Sequence, residues 1–221
     1  MADPIGTGRT TLEKLALATF PSALSADVLA VLRVVGRTTT YERPMDREVV
    51  VDGERLSLMG RLYRPEPSAH EVARLTERQR LILSALFSRH HDGFVRERHL
   101  DPLFRDVGWT LPFVLLLVSD YVFQIADRAT VIVDPIPLST WQAFAVENPS
   151  FMRFIRQRVI SHWDEHYRPW FPNTLLGEQA KFHVPFRDYP GYQFLVARGL
   201  WEDKAARRLL SAPARVHGEG L

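Results

Sequence analysis

Apolar positions recur along the chain mainly at three- and four-residue spacing, the period of a helix that buries one face. Leu12, Leu15 and Leu17 follow Thr10 and Thr11, either of which can cap a first helix, and Pro21 ends it. Val28, Leu29, Leu32 and Val35 share one face of a second helix, with Ser25 as its cap and Gly36 as its stop. Thr76 and Gln79 have the spacing of a capping box, which predicts a helix over about 77–89 with Leu81, Ile82, Ala85 and Leu86 inward. The next helix carries Val95, Leu100, Leu103 and Phe104 and breaks at Gly108. Thr110 then caps another, with Pro112 in its first turn, where a missing N–H costs little. From Leu111 to Val118 that helix is apolar nearly all round, which places it near the centre of the fold. Ser139 or Thr140 opens a helix through Trp141, Phe144 and Val146, and Asn148-Pro149 forms a joint. Phe151, Ile155, Val159 and Trp163 then make a four-residue ladder along a helix of about 150–167.

Two stretches break the helical period. Glu48-Val49-Val50-Val51 and Glu54-Arg55-Leu56-Ser57-Leu58 flank Asp52-Gly53. Such a pair favours a tight hairpin turn, because glycine takes positive φ at little cost. Val131-Ile132-Val133 reads as a short extended run. Pro65 and Pro67 mark a linker between the hairpin and the central helices. Beyond Tyr167, prolines alternate with Trp170, Phe171, Phe182, Phe186, Tyr189 and Tyr192, the texture of an irregular segment pinned across the helices by its aromatic rings. A short last helix is expected at about 201–211. The fold class is therefore mostly α: a compact helical array with one small β-hairpin near 48–58 and an irregular aromatic-rich C-terminal segment. It reads as one domain over 10–212, with flexible tails at 1–9 and 213–221.

Composition narrows the chemistry. In 221 residues there is no cysteine, which excludes disulfides, CxxC redox motifs and thiolate metal sites. The net charge of +2 gives no strong electrostatic case for nucleic acid. Of the 28 basic residues three are Lys and 25 are Arg, a skew that a GC-rich coding bias would also produce. The most apolar stretch runs from Leu111 towards Ala126 but is interrupted by Ser119, Asp120 and Gln124, short of the roughly 18–20 apolar residues of a membrane span. The expectation is a cytoplasmic protein with no membrane partner.

Several motifs invite a chemical reading. Gly6-Thr7-Gly8-Arg9-Thr10-Thr11 resembles the end of a phosphate-binding loop, but Arg9 replaces its lysine and no strand precedes it. No serine sits in a G-x-S-x-G elbow, and no dinucleotide fingerprint follows a strand. His162-Trp163-Asp164-Glu165-His166 fits H-x-x-E-H, in which two histidines one helical turn apart can share a metal and the glutamate can activate its water. Half-buried histidines at the edge of the apolar ladder explain the same pattern. His90, His91, Asp92, Glu97 and His99 cluster around a turn, readable either as part of a three-histidine site or as a helix end followed by Asp92 as the next N-cap. Arg153, Arg156 and Arg158 share the helix of the 162/166 pair and could grip phosphates or carboxylates, but Asp164, Glu165, Glu202 and Asp203 stand close in sequence, which favours a solvated mixed-charge face.

Asp92-Gly93-Phe94-Val95-Arg96, with Leu100 and Leu103, resembles the second helix of a HEAT-type repeat. Leu111-Pro112-Phe113-Val114-Leu115-Leu116 resembles the first helix of the repeat after it, so the likeness spans about 77–127. It departs at His99, where the repeat carries a small residue, and no second Asp-Val-Arg unit follows at a repeat period. The texture also resembles that of bacterial proteins, which implies no activity. The expectation is a non-enzymatic protein–protein interaction or adaptor module without a cofactor, for which a homo-oligomer is compatible. Arg153, Arg156, Trp170, Phe171 and Tyr189 are its candidate contact residues. The alternative is a metal-dependent hydrolase with His162 and His166 as ligands and Glu165 as base.

Overall fold

The computed structural model describes residues 11–36, 43–104, 107–168 and 184–201. The two expected tails, the expected helix at 201–211 beyond Trp201, and both Trp170 and Phe171 lie outside these residues. Among the described residues the fold is mostly helical, with ten α-helices and one two-stranded antiparallel sheet.

Helix α1 (Thr11–Thr19) leads through a short 3-10 turn into α2 (Ser25–Val34). Ser25 does not cap α2; its hydroxyl donates to the Ser22 carbonyl instead. The buried face of α2 centres on Val28 and Val31. The hairpin pairs β1 (Pro44–Val51) with β2 (Glu54–Met59), and Val51 faces Glu54 across the Asp52-Gly53 turn. Both turn residues have positive φ, 51° and 78°, as this two-residue connection requires. Val49, Val51, Leu56 and Leu58 are buried, so one face of the hairpin leans on the helices.

A short helix, α3 (Ala69–Ala73), follows the linker and carries its own capping box from Ser68 and Glu71. Helix α4 (Glu77–Phe87) starts at the expected box, with both the Thr76 and Gln79 halves formed. It is buried on more than one face, since Leu83, Ser84 and Phe87 join the four expected positions. Asp92 caps α5 (Gly93–Arg98) by accepting from the Phe94 N–H.

Helix α6 (Val107–Val118) begins earlier than the sequence suggests, so Gly108 and Thr110 lie within it and Pro112 is interior. Its residues Phe113 to Val118 are all at most 1% exposed, which makes it the central rod. Helix α7 (Phe123–Ile132) absorbs most of the expected extended run at 131–133. There β-branched preference yields to continuation of a helix anchored by buried Ile125, Ala126 and Ala129. Helices α8 (Leu138–Glu147) and α9 (Pro149–His166) meet at Asn148. The Asn148 side chain completes the joint: its Oδ1 accepts from Val50 N at 2.6 Å and its Nδ2 donates to Val50 O at 2.9 Å. The amide thus stands where a third strand would pair and ties α9 to the hairpin.

In 184–201 the aromatic-rich segment includes a 3-10 turn and a buried helix, α10 (Pro190–Ala197). Gly191 allows α10 to approach α6 and α9: a Cβ there would lie 2.7 Å from the Val118 carbonyl oxygen and 2.9 Å from Val159 Cγ2. No helix of the described residues is long and apolar enough to cross a membrane.

Candidate anion-binding site

The turn that links α6 to α7 is heavily cross-tied by side chains from other elements. Three successive carbonyls each accept a side-chain hydrogen bond from a distant element. His162 Nδ1 donates to Ser119 O at 2.8 Å, Tyr189 Oη to Asp120 O at 2.7 Å, and Tyr167 Oη to Tyr121 O at 2.6 Å. Buried carbonyls demand such partners, and here α9 and the segment before α10 supply them. The outcome is a rigid platform that carries the Asp120 side chain into the interior at 0% exposure.

Asp120 is met by Arg96, which is also 0% exposed. The pair is bidentate: Arg96 Nε reaches Oδ2 at 3.0 Å and Nη2 reaches Oδ1 at 2.7 Å. Oδ1 also accepts from Val122 N at the start of α7, and Arg96 Nη1 donates to the carbonyls of His90 and His91. Burial opposes the Arg96 charge, but the Asp120 carboxylate outweighs it and raises its pKa. This pair is complete and leaves each partner satisfied.

Three further guanidinium groups lie near enough to feel its charge, and among the described residues none has an ion pair of its own. Arg61 arrives because Leu62 runs alongside the end of α4, with Leu62 N donating to Arg89 O and His91 N to Leu62 O. Its Nη1 makes one long bond to His90 O at 3.3 Å, and its charge lies 5.7 Å from the Tyr121 ring centroid. Arg89, just past the C-terminus of α4, is only 2% exposed, and its buried Nε has no hydrogen-bond partner. Arg158 of α9 gives Nε to Ser119 Oγ at 3.2 Å, while its buried Nη2 has no partner. Burial lowers the pKa of all three. Arg61 and Arg158 repel Arg89, whose pKa falls well below the usual value, and that of Arg158 comes down to about 10. Four guanidinium groups therefore share one carboxylate. The negative end of the α4 dipole, just before Arg89, offsets part of the excess, roughly half a charge, while the negative end of α6 and the positive start of α7 meet at Asp120 and largely cancel.

His162 sits at the margin of this cluster, and its ring meets Tyr121 edge-on. Since the Ser119 carbonyl can only accept, Nδ1 carries the hydrogen and Nε2 is a bare acceptor in the neutral ring. Burial first, and the Arg158 charge second, lower its pKa to about 4. His166 lies 6.3 Å from His162 between ring centroids, and Glu165 is an exposed surface carboxylate 4.0 Å from His166. Among the described residues no group of three His, Asp or Glu side chains is placed to share a metal ion. A dication at His162 would also stand beside Arg158, whereas an anion there would be attracted.

The histidines near residue 90 act locally. His90 Nε2 bonds to Arg64 O and its Nδ1 accepts from Asp92 N, which matches the helix-end reading of that turn. His99 makes a relay, with Nδ1 3.3 Å from Ser84 Oγ and Nε2 3.0 Å from Glu66 Oε1. The order serine–histidine–carboxylate is that of a hydrolase, yet Ser84 is 4% exposed and lies inside α4. Its own N–H serves the helix ladder, so the relay lacks an adjacent oxyanion donor. It fastens the linker to α4 and α5.

The expected contact residues divide. Arg153 is exposed and lines a surface groove between β1 and α9 with Arg47, Arg55 and Phe154. Arg156 is half-buried and donates to Met152 O on its own helix. Tyr189 is a correction: it is 0% exposed, its ring packs near Phe123 and Tyr167, and its hydroxyl is spent on Asp120 O, so it offers no surface to a partner. The sequence reading reached Arg158 but missed Arg61, Arg89, Arg96 and Asp120. One signal was available: a charge adjoining a strongly apolar helix, as Arg89 follows the run to Phe87 and Asp120 follows the run to Val118. Comparison with protein-family models, curated proteins and solved structures gives no match.

Proposed function

We propose that this protein is a non-enzymatic binding module whose ligand is an anion, received where Arg61, Arg89 and Arg158 gather beside the Asp120–Arg96 pair. The observation that carries this reading is Arg89, nine-tenths and more buried, with a guanidinium Nε that no acceptor meets. A buried charge without a partner is costly: even a complete buried ion pair can often be replaced by apolar residues of similar volume with a gain of about 1–4 kcal/mol. Retaining such a group makes physical sense where a ligand supplies the missing charge. The reading also accounts for the rigid turn, since a binding constellation must be held in place before the ligand arrives.

The test is thermal unfolding in phosphate, sulfate or citrate against chloride at equal ionic strength. An anion that binds only the folded state raises Tm with the logarithm of its concentration. Wild type responds; Arg89→Met does not respond, and without anion it melts above wild type. If no anion shifts wild type beyond its chloride control and Arg89→Met melts lower, the arginine is structural and the proposal fails.

A further inference from the structure

Resting on that anion-binding reading, we infer that the ligand is a phosphoryl group bearing more than one negative charge, rather than a carboxylate. Charge balance comes first. Both oxygens of Asp120 are taken by Arg96, and Arg96 Nη1 is taken by the two backbone carbonyls, so this pair neither needs nor offers anything more. Arg61, Arg89 and Arg158 remain. A carboxylate would bring one charge to three cations, whereas a terminal phosphoryl group brings about 1.5–2 near neutral pH. Geometry comes second. The three guanidinium groups approach from three different parts of the fold: the stretch after β2, the end of α4 and the middle of α9. A planar carboxylate presents two oxygens to a single fork, while a phosphoryl group presents three oxygens around a tetrahedral centre. The orphaned donors, Arg89 Nε and Arg158 Nη2, are both sealed from solvent and belong to two different forks, so an acceptor that serves both must bring more than one oxygen and open the cluster as it enters.

The same chemistry could reach the site as a free phosphate ion or as the end of a phosphate monoester. The rim nearest the cluster is aromatic, with Tyr121 half-buried beside His162 and the more exposed His166. An ester would place its phosphoryl group inward and its organic portion against these rings.

The experiment titrates the full-length protein with inorganic phosphate, phenyl phosphate, dimethyl phosphate and benzoate at constant ionic strength. Binding is followed by calorimetry and by 31P line broadening for the phosphorus compounds. The expected order puts inorganic phosphate and phenyl phosphate at least about tenfold tighter than benzoate and than dimethyl phosphate, which carries a single charge. Phenyl phosphate at or above the affinity of inorganic phosphate identifies a monoester site; inorganic phosphate alone identifies a free-ion site. Benzoate binding as tightly as either phosphate overturns the phosphoryl inference while leaving the anion reading intact. If none of the four binds above its ionic-strength control, both fall. Arg158→Lys, which keeps the charge but loses the fork, is the second variant and should weaken phosphate about tenfold while the protein still folds. Unchanged affinity in folded Arg158→Lys would remove that residue, and the geometric argument, from the site.

Discussion

Several arginines at the surface of this protein are paired with acids, whereas three of those gathered around Asp120 are not. Outside, Arg55 meets Glu48, Arg78 meets Asp27, Arg128 meets Asp101 and Glu97, and Arg168 meets Asp164. Each of those cations has a nearby acid although water would solvate it anyway, and such pairs are worth little. At the cluster, where Arg89 and Arg96 are buried and Arg61 and Arg158 half-buried, Asp120 is the one carboxylate among the described residues that acts on the four guanidinium groups, and it pairs with Arg96. The interior is thus the place where charge is left unbalanced, at a cost that packing elsewhere must cover. That inversion separates a site from a decorated surface.

The contrast can be broken most severely at its centre. Asp120→Ala removes the one carboxylate that the described residues place in the cluster and the anchor of Arg96. Loss of one partner of a buried pair costs about 3–5 kcal/mol, so chemical denaturation should show a loss of at least that size or no folded protein at all. A wild-type midpoint in the variant would mean that Asp120 does not hold the cluster together.

Protonation of His162 attacks the same region more gently. Its folded pKa, about 4, lies below the ordinary histidine value of about 6.5. The unfolded chain therefore binds more protons between those values, and the neutral ring contributes stability that is complete above about pH 6.5 and lost as pH falls towards 4. Comparing wild type with His162→Asn over that window should show the wild-type advantage shrinking by about 2 kcal/mol, a figure discounted for the ring's partial exposure. Parallel pH profiles would show that the ring is not held neutral.

Tyr189→Phe deletes a single donor to the Asp120 carbonyl and keeps the ring. It should cost about 1–2 kcal/mol in denaturant and also weaken phosphate, because the platform loses one of its ties. An equal loss of stability with unchanged phosphate affinity would confine the tie to folding. Arg128→Ala provides the surface reference: its pairs with Asp101 and Glu97 are partly exposed, and its removal should change stability by no more than about 1 kcal/mol and leave anion binding alone. A larger effect there would erase the distinction between the two arginine populations.

Much of the architecture was legible before any coordinates. The capping box at Thr76, the Asp92 cap, the Asp52-Gly53 turn and the ladder from Phe151 to Val159 all stand where local chemistry places them. These features are decided by residues within a few positions of one another, so the sequence displays them directly. Less legible were Pro112, which lies inside α6, and Val131-Ile132-Val133, of which the first two end α7. In both cases packing against neighbours outweighs a local preference of about 1 kcal/mol or less for β-branched residues, and more for proline.

The chain by itself determined a helical body with one hairpin, the absence of thiol chemistry and a strong preference for arginine over lysine. Only the tertiary structure decided which arginines, among the described residues, carry buried nitrogens without a partner. Arg61, Arg89, Arg96, Asp120 and Arg158 are spread over almost a hundred positions, and no periodicity links them. They become one site because α4, α6 and α9 end or pass at the same point in space, where exclusion of water turns an ordinary surplus of charge into a strong demand for an anion.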